Sequence, residues 1–169
     1  HLAIEKQNFD IVSLLLSGGI DYNCVSTIYR KRGGRESLIK QGTALTMACQ
    51  IDKTEIAELL LKKPKINVNF WEIEDETHNA QKATKTKKAP IHLAVEKGDI
   101  SLVSAILDIN DVDILSVAEF LNQKNPFQPI FERKTALDIS DEKKIFEISS
   151  LLRGKKCKKF MFLKAFSQS

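Results

Sequence analysis

Three histidines, three cysteines and 22 acidic residues are the groups with which this 169-residue chain could do chemistry. Their spacing points away from it. Cys24, Cys49 and Cys157 are odd in number and far apart, which fits neither a disulfide framework nor zinc-ligand pairs. Three free thiols in a reducing compartment are expected. His1 and His92 hold matching places in two similar segments, so each reads as a structural side chain bonded to the neighbouring turn. His78 lies in a polar stretch. No Gly-rich phosphate loop, nucleophile elbow or H-E-x-x-H motif is present. No catalytic residue, no metal, no cofactor and no small-molecule substrate are therefore expected.

Recognition chemistry is what remains. Residues 26–41, STIYRKRGGRESLIKQ, carry five basic side chains against Glu36, a net +4. Tyr29, Arg30, Arg32 and Arg35 from this stretch, with the single tryptophan Trp71, are the candidate contacts for a protein partner. The competing readings are a solvated hairpin tip for the charge run and a cover over adjacent helices for Trp71. A second basic cluster sits in residues 154–169. After Glu147 there are six basic residues and no acid, so the formal +4 of the chain leaves its remainder near −2. A basic balance confined to the tail does not suit a fold-wide nucleic-acid surface. The tail also holds Phe160, Met161, Phe162, Leu163 and Phe166. It reads either as a C-terminal cap with a frayed end or as a contact for an anionic membrane or acidic groove.

The elements that must position these residues repeat along the chain. TALTMACQIDKTEIAELLL begins at Thr43, PIHLAVEKGDISLVSAIL at Pro90 and TALDISDEKKIFEISSLL at Thr135. The opening HLAIEKQNFDIVSLLL is the same unit without its first three residues. The small residues Ala3, Ala48, Ala94 and Ser140 are 45, 46 and 46 apart; Asp21, Asn67 and Asp113 are 46 and 46 apart. Each unit predicts two short helices. Thr43, Pro90 and Thr135 start the first, as an N-cap or first-turn proline should. A polar break follows, at Gln7-Asn8, Asp52-Lys53, Gly98-Asp99 or Lys144-Ile145, and only Gly98 is the residue best suited to a left-handed turn. Helices shorter than roughly 12 to 15 residues are marginal alone, so the pairs must stack and bury one another's faces. The small residue then sits where successive first helices come close.

These residues resemble the ankyrin repeat. Thr43-Ala44-Leu45-Thr46-Met47-Ala48 and Pro90-Ile91-His92-Leu93-Ala94 match its Thr-Pro-Leu-His-x-Ala opening. Asp10-Ile11-Val12-Ser13-Leu14-Leu15-Leu16 matches its second helix, and Gly19-Ile20-Asp21-Tyr22-Asn23 its closing turn. In the fourth unit Asp138, Lys144 and Ser149 depart from the pattern. The family period is about 33 residues, whereas here the added length falls between units, where loop-closure entropy grows slowly. The resemblance implies an all-α solenoid of stacked helix-turn-helix pairs, with long hairpin or irregular loops between repeats. Residues 1–153 form the domain, with repeats at about 1–25, 42–70, 88–115 and 134–153, inserts at 26–41, 71–87 and 116–133, and the tail at 154–169. Gly33-Gly34 reads as the turn of the first insert. The second, acidic first and basic after, reads as disorder or a flexible hairpin. In the third, Val117, Phe120 and Leu121 have helical spacing, Pro126 and Pro129 forbid regular structure after them, and packing on the stack is the expected fate.

The resemblance also implies a non-catalytic scaffold that binds another protein through its finger loops and concave face. The alternatives are a regulatory segment of a larger enzyme or channel, and anionic membrane or nucleic-acid binding through the tail. A monomer is expected, inside the cell and foremost in the cytoplasm, with the nucleus as the alternative. The truncated first unit suggests a piece of a longer array, in which a further repeat would open near residue 181. Its outer face lacks a neighbour, so amides of residues 1–16 should exchange with solvent faster than those of residues 90–107; equal protection would contradict this.

Overall fold

A computed structural model describes the backbone of residues 1–32, 35–79, 82–123 and 130–166, and the side chains of these except 30–39, 76–79, 82, 83, 123 and 157–166. The helices fall in four pairs: α1 (Leu2–Glu5) with α2 (Phe9–Ser17), α3 (Ala44–Gln50) with α4 (Thr54–Leu61), α5 (Pro90–Lys97) with α6 (Ile100–Leu107), and α7 (Ala136–Glu142) with α8 (Phe146–Phe166). First helices stack on first helices and second on second, from one end of the chain to the other. The starts are set as the sequence suggests. The Thr43 hydroxyl accepts the Thr46 N–H and the Thr135 hydroxyl accepts the Asp138 N–H, while Pro90 opens α5.

Each pair is closed by the same turn. Gln7, Asp52, Gly98 and Lys144 all have positive φ, between 55° and 73°. The next residue's N–H reaches back to the small residue of the first helix: Asn8 to Ala3, Lys53 to Ala48, Asp99 to Ala94 and Ile145 to Ser140, at 2.9–3.2 Å. That is a helix C-terminal motif with a left-handed residue. Three of the four units form it without glycine.

Stacking buries Leu45, Leu60, Ile91, Ile106 and Ile148 fully. The outer face of the first pair shows what stacking contributes. Ile11 and Leu15 are 47% and 41% exposed, whereas their counterparts Ile56 and Leu60 are 2% and 0%. Asparagine bridges reinforce the stack at the turns beyond the second helices. Asn23 donates to the Lys65 carbonyl and accepts the Asn67 N–H, and Asn69 does the same with Asp111 and Asp113. Leu115 holds the corresponding place in the third unit. In the fourth, where the others turn, α8 runs on through residue 153 to Phe166.

The inserts are strands, and this corrects the all-α expectation to a mixed one. β1 (Val25–Arg32) and β2 (Arg35–Thr43) form finger 1, β3 (Glu72–Asn79) and β4 (Lys82–Lys88) finger 2, and β5 (Val117–Gln123) and β6 (Ile130–Thr135) finger 3. The fingers join edge to edge in one antiparallel sheet, in the order β1-β2-β3-β4-β5-β6. The helical turn expected at Val117, Phe120 and Leu121 is instead part of β5, because cross-strand pairing with β4 and β6 overrides a three-residue periodicity. Gly33-Gly34, Pro126 and Pro129 lie outside the described residues.

The turn geometry yields a paired test by chemical denaturation. Gly98→Ala should cost about 1 kcal/mol, since φ is 73° there. Lys144→Gly should cost nothing or gain up to about 1 kcal/mol by removing left-handed strain; a clear loss would contradict the shared-turn reading.

Candidate protein interface

Strand register sorts the finger residues into rows that cross all three fingers. One row runs Ser26, Gly42, Glu72, Lys88, Ala118, Lys134, and another, two residues further out, runs Ile28, Lys40, Glu74, Thr86, Phe120, Glu132. Both rows share one face, because side chains two apart on a strand point the same way. Their lysines reach the C-terminal ends of the first helices, so this face and the first helices line a common palm. Lys88 pairs with Glu96 at 2.7 Å, and Lys134 with Glu132 at 2.6 Å and Glu142 at 2.8 Å. The two carboxylates hold the Lys134 ammonium above the usual lysine range. Phe120 lies between the Lys88 and Lys134 ammonium groups, 5.1 and 5.9 Å from its ring centre.

The second unit builds the same link differently. Gly42 stands where the third and fourth have Lys88 and Lys134, and Gln50 where they have Glu96 and Glu142. Lys40 supplies the amine instead. It donates to Gln50 Oε1, while Gln50 Nε2 donates to Glu74 at 3.1 Å. Glu72 lies beneath, 4% exposed, with Lys40 Nζ 3.7 Å from an Oε1 that has no hydrogen-bond partner. Burial pushes its carboxyl up to about 7, and Lys40 only partly offsets that.

The other sheet face carries Thr27, Gln41, Ile73, Lys87, Glu119 and Arg133 in one row. Arg133 pairs with Glu119 at 2.8 Å and holds that carboxyl below the usual range. At the base of finger 2, Trp71 stacks on His92 with ring centres 5.8 Å apart, and Lys87 lies 4.8 Å over the indole. His92 is fully buried. Its Nδ1 accepts the Ala89 N–H, so Nε2 carries the proton and donates to the Ser116 carbonyl at 3.0 Å. Burial holds the ring below the usual histidine range, hence neutral. Thr46 and Asp138 bond the matching backbone N–H in their units, as a structural position requires.

The residues singled out in the sequence are thus dispersed. Tyr29 is 58% exposed on the edge strand β1; Arg30, Arg32 and Arg35 lie on the same finger; Trp71 is half-buried two strands away. Lys40, Lys88, Lys134 and Phe120 were missed, although the 46-residue spacing of Lys88 to Lys134 and of Gln50 to Glu96 to Glu142 could have shown them. Cys49 is buried and its thiol is pushed up, chiefly by desolvation and then by Glu72 and Asp99, which suits packing and not nucleophilic attack. Among the described residues no cluster of His, Cys, Asp or Glu is placed to hold a metal, and no helix is long and apolar enough to cross a membrane.

Stacked helix pairs joined by projecting hairpins define a repeat solenoid with a palm and fingers. The family model for ankyrin repeats (3 copies) matches residues 1–117, and the chain belongs to that family. The repeats themselves are non-catalytic modules that typically bind other proteins. No curated protein matches the chain. The fourth unit lies beyond the matched residues, yet α7 and α8 stack on α5 and α6 as the earlier pairs do.

If Trp71 serves the fold, Trp71→Ala should lower stability by about 2 kcal/mol in the isolated protein, since it uncovers His92. Trp71→Phe should restore most of it. A neutral Trp71→Ala in thermal or urea unfolding would return Trp71 to the interface.

Proposed function

We propose that this chain is a non-catalytic scaffold that holds an acidic protein partner through finger 1 and the adjoining palm. One observation carries the reading: finger 1 supplies one of the two edge strands of the sheet, and by sequence it holds a far larger excess of one charge than the other two fingers. Its residues 26–41 carry +4. The palm lysines at 88 and 134 are occupied by glutamates of this chain. In finger 2 the acidic strand lies directly against the basic one, with Glu72 opposite Lys88 and Asp75 opposite Lys85. Uncompensated charge steers partners and sets specificity, so the basic finger is where an acidic surface gains most.

A second reading has a structural observation behind it. The helix α8 continues to Phe166, which places the basic tail on a rod extending the last second helix. Anionic vesicle binding that disappears on truncation after residue 153 would favour it.

The scaffold reading is tested by combining Tyr29→Ala with Arg30→Glu, Arg32→Glu and Arg35→Glu. These spare Lys40 and Gln41, which join finger 1 to finger 2. Partner recovered by quantitative cross-linking from cell extract should fall at least about tenfold, with circular dichroism unchanged, and wild-type recovery should weaken with salt. Recovery that ignores both the substitutions and the salt would end the assignment.

A further inference from the structure

The sheet has a weak seam. Among the described residues, finger 2 joins finger 3 through five paired positions, from Ala83↔Gln123 to Lys87↔Glu119, whereas finger 1 joins finger 2 at two, Lys40↔Glu74 and Gln41↔Ile73. Glu72 is buried directly under that seam. Nothing in the repeat requires a carboxylate there, since the corresponding positions are Ser26 in finger 1 and a fully buried Ala118 in finger 3. Gly42 lies next to it on β2: a Cβ there would make ordinary contact with Glu72 Cγ at 3.7 Å but would collide with the Thr46 hydroxyl at 2.6 Å.

The groups that face Glu72 come from every element around it: Lys40 on β2, Glu74 on its own strand, Lys88 on β4, Glu96 on α5 and the Cys49 thiol on α3. Lys40 and Lys88 favour the ionised carboxylate, Glu74 and Glu96 oppose it, and desolvation opposes it most. With Oε1 lacking a partner, the ionised form gains by meeting water, which parting β2 from β3 would admit.

We propose that Glu72 is a proton-operated latch on the seam between fingers 1 and 2: the neutral carboxyl keeps the seam shut, and its ionisation releases finger 1 from the rest of the sheet. The sign follows from linkage. The shut form holds the proton up to about 7, whereas a hydrated carboxyl releases it near 4.5. Opening therefore becomes more favourable as pH rises between these values and levels off above them. Between about pH 5.5 and about pH 7.5 the open fraction should rise roughly 20-fold. Such a latch would let proton concentration set whether finger 1 stands with the palm or apart from it, whatever partner it meets.

Trp71, adjacent to Glu72 and the single tryptophan, is a built-in reporter. Its emission should shift in a step near pH 7 in the wild-type chain and lose that step in Glu72→Gln. Amide exchange at residues 40, 41, 73 and 74, corrected for intrinsic rates, should accelerate over the same range only when Glu72 is present. A step caused by His92 would fall below its ordinary 6.5 and survive in Glu72→Gln. Glu72→Ala, which copies finger 3, gives a second variant in which the seam stays shut at all pH. A wild-type step that persists in both variants, or seam exchange independent of pH, would overturn the latch.

Discussion

The structure depends on one constraint: a helix of four to nine residues cannot bury enough surface to persist alone. The left-handed turn at Gln7, Asp52, Gly98 and Lys144 answers it by folding each second helix back on the first. Both helices then offer a face to the next unit. The bond that closes the turn ends on the carbonyl of Ala3, Ala48, Ala94 or Ser140. The residue that must be small for neighbouring units to approach is therefore also the residue that anchors the turn. The turn and the packing of the two helices on each other together set the angle within each pair.

The sheet follows from that stack. Packed helices lie about 8–10 Å apart, and strands pair at about 4.8 Å. A two-stranded hairpin is thus about as wide as one unit. Once the inserts are long enough to extend as hairpins, the outer strand of one meets the first strand of the next at hydrogen-bonding distance. Three fingers become six continuous strands without any connection designed for the purpose. Charge sorts them: Glu72 and Asp75 meet Lys88 and Lys85, Lys87 meets Glu119, and Glu119 meets Arg133. What looks in sequence like an acidic run followed by a basic one is the two sides of a hairpin.

Legibility in sequence follows the range of the interactions. Helix starts, the small residue and the repeating units depend on neighbours a few residues away, and Thr43, Pro90 and Thr135 announce them directly. The structural role of His92 was also visible, because Thr46 and Asp138 replace it with other acceptors for the same N–H. The fused sheet was not visible, since it arises from the spacing of units brought together by the stack. Helical spacing at Val117, Phe120 and Leu121 was misleading for the same reason: pairing with β4 and β6 is nonlocal. The palm was half legible. Its lysines and glutamates repeat at 46 residues, but the exchange of Lys to Gly42 and Glu to Gln50 in the second unit hides the pattern until Lys40 is seen to replace the missing amine.

The fourth unit shows how far a repeat pattern can drift while its physics is kept. Each of its departures is matched by a compensation. Asp138 takes the histidine's place and accepts the Thr135 N–H at 2.8 Å. Lys144 adopts the left-handed conformation that Gly98 adopts at lower strain. Ser149 stands where Val103 is buried in the third unit, and its hydroxyl lies 2.9 Å from that of Ser140, which itself replaces alanine. Each hydroxyl also lies within bonding distance of a carbonyl of its own segment, Ser140 of Leu137 at 2.9 Å and Ser149 of Ile145 at 3.3 Å, so neither is buried unsatisfied. The motif that identifies the first three units weakens across these positions while the contacts it encodes persist. The stack is therefore continuous through α8, and the departures record which properties of each position matter: an acceptor, a positive φ, and a filled, satisfied core.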